Sequence, residues 1–435
     1  MHYRFSKYTK RLVVNSRIFL YNTYTEALIL LLPEIDELIQ SNVNSIDKIE
    51  EIHPELFQEL KNRGYIVEEG VLDYILVQKE WEKESNDSTK FTLILNPTLS
   101  CNMRCWYCYE THLPSTKMPL HVVESVKKLI SLKVRESKLI GFNLDFFGGE
   151  PLLAYNYCVR DLISFANNEC ISQGKKMYLS FTTNGYLLTE DILSDFDIWA
   201  DFANVKLQIT LDGNSFCHNN TRKLGGKFPT YNKILSNVIS ALKHKTNILL
   251  RLNYTDDNIF SFYDVIDDLN SKCNFDERKK LTISFHRVWQ NADSEQLKES
   301  VINVMNAFEK SGYDVENTFV SSKARCYGDM NNTVVINYDG DVYKCTARDF
   351  DNNNCEGFLN SSGEIIWNNH YKKRVEASSK FEICHNCVIY PICHAGCSQN
   401  RLETPDTTVC VKGYTPIIKE QIIRDIVEDR IKRLM

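Results

Sequence analysis

The stretch CNMRCWYCYE sets Cys101, Cys105 and Cys108 at C-x3-C-x2-C. Iron-sulfur clusters are held by Cys thiolates, and a four-iron cubane takes one ligand on each iron. Three thiolates this close together leave one iron free for a ligand from outside the chain. A structural zinc site asks for a closed shell of four, and no fourth His or Cys is read beside these three. Tyr107, just before the last cysteine, adds to the specificity of the pattern.

A second group gives C-x13-G-x4-C at Cys326, Gly340 and Cys345. It continues as C-x2-C-x5-C-x3-C at Cys384, Cys387, Cys393 and Cys397, and closes at Cys410. A pair of zinc knuckles is the plainer reading of CHNC, but seven thiolates fit two four-thiolate zinc sites poorly. Cys355, ten residues after Cys345, is the candidate to supply an eighth ligand. Cys158, Cys170, Cys217 and Cys273 read as small buried hydrophobes. Fifteen cysteines in a chain that opens without a signal-peptide pattern point to metal or redox work rather than disulfides. On that pattern the protein is expected to be cytoplasmic.

These ligands need elements to position them. Residues 1–88 read as a small separate domain. RLVVNSRIFLYN suggests two strands around an Asn-Ser turn, and TEALILLLPEIDELIQ a helix interrupted at Pro33. HPELFQELKNRG suggests a helix with Pro54 near its start and Gly64 past its end, and YIVEE a closing strand. That order is winged-helix-like, and the polar EWEKESNDST reads as a linker. From 89 to 311 strands expected at 93–99, 142–147, 177–183, 205–211, 248–254 and 281–288 alternate with helix-period stretches. Six such units predict an α/β fold, a (β/α)6 parallel sheet rolled into a TIM-like barrel or partial barrel with functional loops at the strand C-terminal ends. Residues 312–435 read as a C-terminal cluster-held domain with a closing amphipathic helix on Ile418, Ile422 and Ile426.

The 435 residues suffice for two or three domains. Lys plus Arg is 51 and Asp plus Glu is 57, so the formal charge is 51 − 57 = −6. That balance gives no reason to expect a nucleic-acid partner, and ALILLL is too short to span a membrane.

The cysteine loop resembles that of the radical S-adenosylmethionine enzymes, in which it follows the first strand of a partial barrel. The resemblance implies that S-adenosylmethionine itself chelates the open iron, and that one-electron cleavage yields a 5′-deoxyadenosyl radical. GGEP, with Gly149 and Glu150, resembles the edge that binds the methionine amino group. Tyr107 matches the residue near the adenine, Thr210 in TLDG a ribose contact, and Asn184 in TTNG and Arg222 in HNNTR further cofactor contacts. Asp212 is expected to serve the turn, and His218 to be either a contact or a structural histidine.

The later cysteines resemble the SPASM extension of peptide-modifying radical enzymes. By that resemblance Cys384, Cys387, Cys393 and Cys410 hold one auxiliary cluster, and Cys326, Cys345 and Cys397, with Cys355 or an open position, the other. Three 4Fe-4S clusters are thus implied.

Three functions compete. The first is a maturase that binds a ribosomally made precursor peptide through its leader and installs a thioether or carbon–carbon crosslink, reduced by a flavodoxin or ferredoxin. The second is an anaerobic sulfatase maturase. Such enzymes carry an Asp directly after the cysteine equivalent to Cys345, whereas Thr346 stands here and Asp349 lies three further on. The third is a non-catalytic metal-bound peptide scaffold. No catalytic acid or base is assigned.

Overall fold

A computed structural model describes residues 2–292, 294–317, 323–377 and 381–434. The chain divides into two compact units. One comprises residues 87–318 and 331–371; the other comprises 1–86, 319–330 and 372–435.

The N-terminal segment runs β1 (Tyr3–Phe5), β2 (Thr9–Val14), β3 (Arg17–Asn22), β4 (Leu28–Leu31), α1 (Pro33–Ser41), α2 (Asp47–Ile52), α3 (Pro54–Asn62), β5 (Ile66–Glu68) and α4 (Asp73–Ser85). Strands β2, β3 and β4 form an antiparallel sheet, and β1 pairs with β5. The β2–β3 turn is the expected Asn15-Ser16 pair, both with left-handed φ, as a two-residue hairpin demands. Two sequence expectations change here. LILL is strand β4, not the start of a helix, because it pairs along β3 and Pro33 opens α1 as an N1 proline. EWEKES is no linker. It is the last turns of α4, whose Val77 and Trp81 pack with Tyr8 and Tyr390.

Six β/α units follow: β6 (Lys90–Leu95), α5 (Leu120–Val134), β7 (Gly141–Phe146), α6 (Arg160–Ser172), β8 (Lys176–Thr183), α7 (Glu190–Trp199), β9 (Ala203–Leu211), α8 (Ser215–Thr221), α9 (Tyr231–Leu242), β10 (Asn247–Tyr254), α10 (Phe262–Asn270), α11 (Phe275–Arg278), β11 (Leu281–Arg287) and α12 (Glu295–Lys310). Strands β6 to β11 pair in sequential order and all in parallel. Winding in one direction with right-handed crossovers puts the helices on one face of the sheet. Leu93, Leu144, Leu179, Leu207, Leu250 and Ile283 face them, fully buried. The first strand ends at Leu95 rather than Leu99, because Pro97 has no N–H to give a ladder.

Strand β12 (Asp314–Glu316) joins β11 in parallel. Beyond β6 the same sheet continues through β13 (Thr333–Ile336), β14 (Asp341–Tyr343), β15 (Gly357–Leu359) and β16 (Ile365–Trp367). Residues 331–371, assigned from sequence to the cluster domain, thus belong to the barrel sheet. The rest is α13 (Asn369–Ala377), α14 (Tyr390–Cys393), α15 (Ser398–Glu403) and α16 (Pro416–Leu434). Helix α16 buries Ile423, Ile426 and Val427 against Leu12, Val14, Phe19 and Tyr21, while Ile418 is exposed. The partition at 88 read from sequence and this division therefore differ: strands β2 and β3 share a core with a helix some 400 residues later. Among the described residues, no helix is long and apolar enough to cross a membrane.

Candidate active site

Past Pro97 the chain enters the cysteine loop, whose first residues are gripped by the segment after β7. The Gly149 N–H donates to Thr98 O (3.1 Å) and the Glu150 N–H to Ser100 O (2.9 Å). A Cβ on Gly149 would lie 2.3 Å from the Ser100 carbonyl oxygen, so only glycine lets the two backbones meet. The Glu150 carboxylate is fully buried. It accepts from Leu152 N (3.0 Å), Thr183 Oγ1 (2.7 Å) and Asn184 N (2.7 Å). A carboxylate has about four acceptor positions, which leaves Glu150 room for one more donor. Asn184 reaches back through Nδ2 to Asn102 Oδ1 (2.7 Å) and lies 4.0 Å from Cys101 Sγ.

Burial pushes the Cys101 thiol up to about 12 and the Cys108 thiol up to about 11, and raises Cys105 as well. Buried thiols ionise when a metal supplies the compensating charge. Sequence reading saw no histidine beside these cysteines, yet His112 Nε2 lies 3.5 Å from Cys108 Sγ. Among the described residues no three His, Cys, Asp or Glu groups converge enough to hold one metal ion. A cubane would take one thiolate on each of three irons, and the three cysteines of this loop fit that donor set.

Tyr107 turns inward to a buried network. Its hydroxyl donates to Asp212 Oδ2 (2.7 Å) and accepts from Arg222 Nη1 (2.9 Å) and Asn253 Nδ2 (2.9 Å). Asp212 therefore does more than shape the turn at Gly213. Its Oδ1 and the Arg222 Nε are buried with no partner, as is Asn102 Nδ2. Orphaned buried groups of both signs call for a ligand that both donates and accepts. The amino-acid and ribose ends of S-adenosylmethionine have that character, so these residues fit the cofactor. Thr210 is buried two residues before Asp212, hence on the same strand face. His218 is structural: its Nδ1 accepts from Asp212 N (3.3 Å) and its Nε2 meets Thr230 Oγ1 (3.1 Å).

The strand face that carries Thr210 is polar, unusual for a parallel sheet. Asn143 Nδ2 donates to Thr92 Oγ1 (3.0 Å), Ser180 Oγ to Asp145 Oδ1 (2.6 Å) and Arg251 Nε to Asn253 Oδ1 (2.9 Å), while Ser284 Oγ meets His286 Nε2 (3.0 Å). After Cys108 the loop is tied to the segment that follows Cys345. Tyr109 OH donates to Thr346 O (2.7 Å). Asp349 accepts from Thr111 N (2.9 Å) and Phe350 N (3.1 Å) on Oδ1, and from the Thr111 hydroxyl on Oδ2. The Cys355 thiol donates to Gly357 O (3.2 Å) and lies beside Asp341.

In the other unit Cys384, Cys387, Cys393 and Cys410 line one cavity with Ile389, Tyr390 and Lys419. The Cys326 and Cys397 thiols share a hydrogen bond, which eases ionisation of Cys397 and opposes that of Cys326. Cys393 and Cys397 part ways because His394, Ala395 and Gly396 all take left-handed φ, at +55°, +55° and +71°. Cys158, Cys170 and Cys273 are buried as expected, whereas Cys217 is only half-buried.

Residues 95–266 match the Radical SAM superfamily, so the chain carries a radical SAM domain. It is 24% identical over 346 residues to the cysteine-type anaerobic sulfatase-maturating enzyme of Clostridium novyi, across 71% of this chain and 88% of the relative. It resembles the structure of native anSMEcpe with bound AdoMet and Cp18Cys peptide, with a TM-score of 0.58 and 18% identity over 79% of this chain and 98% of that one. It also resembles Streptococcus suis SuiB bound to precursor peptide SuiA, with a TM-score of 0.50 and 13% identity over 94% and 99%.

Among residues the sequence reading did not assign, Asn253, His112 and Asp349 contribute to the site. Asp212 was legible in principle, since strand alternation from Thr210 carries its side chain to the same face. His112 did carry a signal, standing four residues after Cys108, whereas nothing local ties Asp349 to Thr111.

Proposed function

We propose that this chain matures a ribosomally made peptide, abstracting a hydrogen atom from the substrate and installing a thioether or carbon–carbon crosslink. The observation that carries the peptide is the sheet β2–β3–β4. Strand β4 pairs only with β3 among the described residues, and Leu30 beside that edge is 51% exposed. An exposed edge of this kind takes an extended peptide as an added strand. Two of the solved structures that the chain resembles hold a peptide.

Cys101, Cys105 and Cys108 would hold the first cluster. Cys384, Cys387, Cys393 and Cys410 would hold a second, and Cys326, Cys345 and Cys397 a third, with Cys355 or an open position as the last ligand. Bound there, cluster and S-adenosylmethionine supply a hydrogen-abstracting radical. Glu150 has an acceptor position for an ammonium. Arg222 and Asp212 present a donor and an acceptor to the cofactor, and Tyr107 and Asn253 hold both in place. The polar strand face receives the substrate. The electron comes from a small low-potential carrier such as a flavodoxin or ferredoxin.

Sulfatase maturation is the second reading, favoured by the long match to the Clostridium novyi enzyme. Against it, Thr346 replaces the expected acid, and Asp349 spends both oxygens on Thr111 and Phe350. The test is anaerobic coexpression with short peptides encoded beside the gene. A peptide lighter by two hydrogen atoms per event supports crosslinking, and formylglycine in a sulfatase peptide supports the second reading. Failure to release 5′-deoxyadenosine from S-adenosylmethionine sinks both.

A further inference from the structure

His112 follows Cys108 by four residues and is half-buried, with Nε2 3.5 Å from the Cys108 sulfur. Its loop is pinned on both sides of the cysteine. On one side Tyr107 sits in the Asp212–Arg222–Asn253 network; on the other, Thr111 is held by Asp349 and Tyr109 by Thr346. The loop that carries the imidazole is therefore held by restraints independent of a metal. A metal-bound thiolate has no proton and only accepts, so the nitrogen facing it must carry the hydrogen.

We infer that His112 donates a hydrogen bond from Nε2 to the Cys108 thiolate, and that this contact sets the reduction potential of the cluster held by Cys101, Cys105 and Cys108. Hydrogen bonds to cluster sulfurs, with solvent exposure, tune iron-sulfur potentials. A donor stabilises the reduced, more negative cluster and raises its potential. Cys108 is the most exposed of the three cysteines, so a neighbouring donor takes the place of irregular hydration with a fixed dipole. His112 is thus a positioning residue that acts through Cys108. The inference rests on the reading that the three cysteines hold a cluster.

The test compares the full chain, reconstituted anaerobically, with His112→Leu and His112→Gln. Iron and sulfide are counted first: if the wild type lacks the cluster of these three cysteines, the reading itself fails. With the cluster present, EPR-monitored redox titration is run without S-adenosylmethionine. In His112→Leu the ratio of reduced to oxidised cluster at a fixed poise should fall about tenfold, which is about 59 mV for one electron. His112→Gln, which keeps a donor, should recover part of it. Pulsed EPR of the wild type should show a weakly coupled histidine nitrogen that is absent from His112→Leu. The inference is overturned if potential and nitrogen coupling match in the wild type and the Leu variant. It is overturned equally by a strong coupling of a directly ligated nitrogen.

Discussion

The Asp145 carboxyl lies on the polar strand face with one side-chain donor, Ser180, and burial pushes its pKa up to about 6. An acid whose pKa is higher folded than unfolded binds more protons in the folded state between the two values. Stability therefore falls as pH rises from about 4 to 6, by roughly 3 kcal/mol in total for two units of difference. Asp145→Asn should abolish that slope and raise the melting temperature at neutral pH, as thermal unfolding across pH 3.5 to 8 would register. A slope unchanged by the substitution would place the carboxyl in water. The residue is of interest because an ionised carboxylate buried on that face lowers stability, a cost the fold carries. The same argument applies to the unpartnered Asp212 Oδ1 and Arg222 Nε.

Among the elements, the joint between the segment after β7 and the start of the cysteine loop is the tightest. Gly149→Ala drives a Cβ into the Ser100 carbonyl. It should cost about 2–3 kcal/mol, as overpacking does, and the displaced loop should lose its iron. Gly70→Ala meets nothing within 4 Å and should stay within about 0.5 kcal/mol of the parent. Melting temperature and iron content of the two variants decide the matter. If Gly149→Ala keeps its cluster, the glycine is not what brings the segments together. The six barrel strands were legible because apolar residues recur at alternate positions between turn residues, and the observed limits move by only a few positions. Strand β4 was not legible, since Leu-Ile-Leu-Leu suits a helix as well as a strand, and only pairing with β3 decides between them. The Tyr107 network was also hidden. It draws on the cysteine loop and on residues at or beyond the ends of two strands, and no local pattern records that they meet.

For the whole molecule the decisive feature is the discontinuous unit that joins residues 1–86 to 319–330 and 372–435. Leu12 in β2 is buried in one core with Ile389, Ile392 and Ile423, and Cys387 and Cys393 pack on that core. The Thr23 hydroxyl donates to Val388 O (2.5 Å), the residue after Cys387. Leu12→Ala should therefore cost about 2–4 kcal/mol as a buried large-to-small change. On the proposal that the four-cysteine cavity holds a cluster, the change should also lower the iron content while 5′-deoxyadenosine release persists. Unfolding curves and iron counts on that variant provide the check, and full iron content with reduced stability would separate the core from the cavity. The sequence shows both segments clearly yet places a boundary at 88, because shared burial across 370 positions leaves no trace in local composition.

That shared core also constrains biosynthesis. The β2–β3 hairpin leaves the ribosome roughly 370 residues before Ile389, a wait of about 20–75 s at ordinary elongation rates. Through that interval Leu12, Phe19 and Tyr21 lack the neighbours that cover them in the finished protein. The nascent hairpin is thus a natural client for a holding chaperone, and the cavity lined by Cys384 and Cys410 can form only after translation has passed both halves.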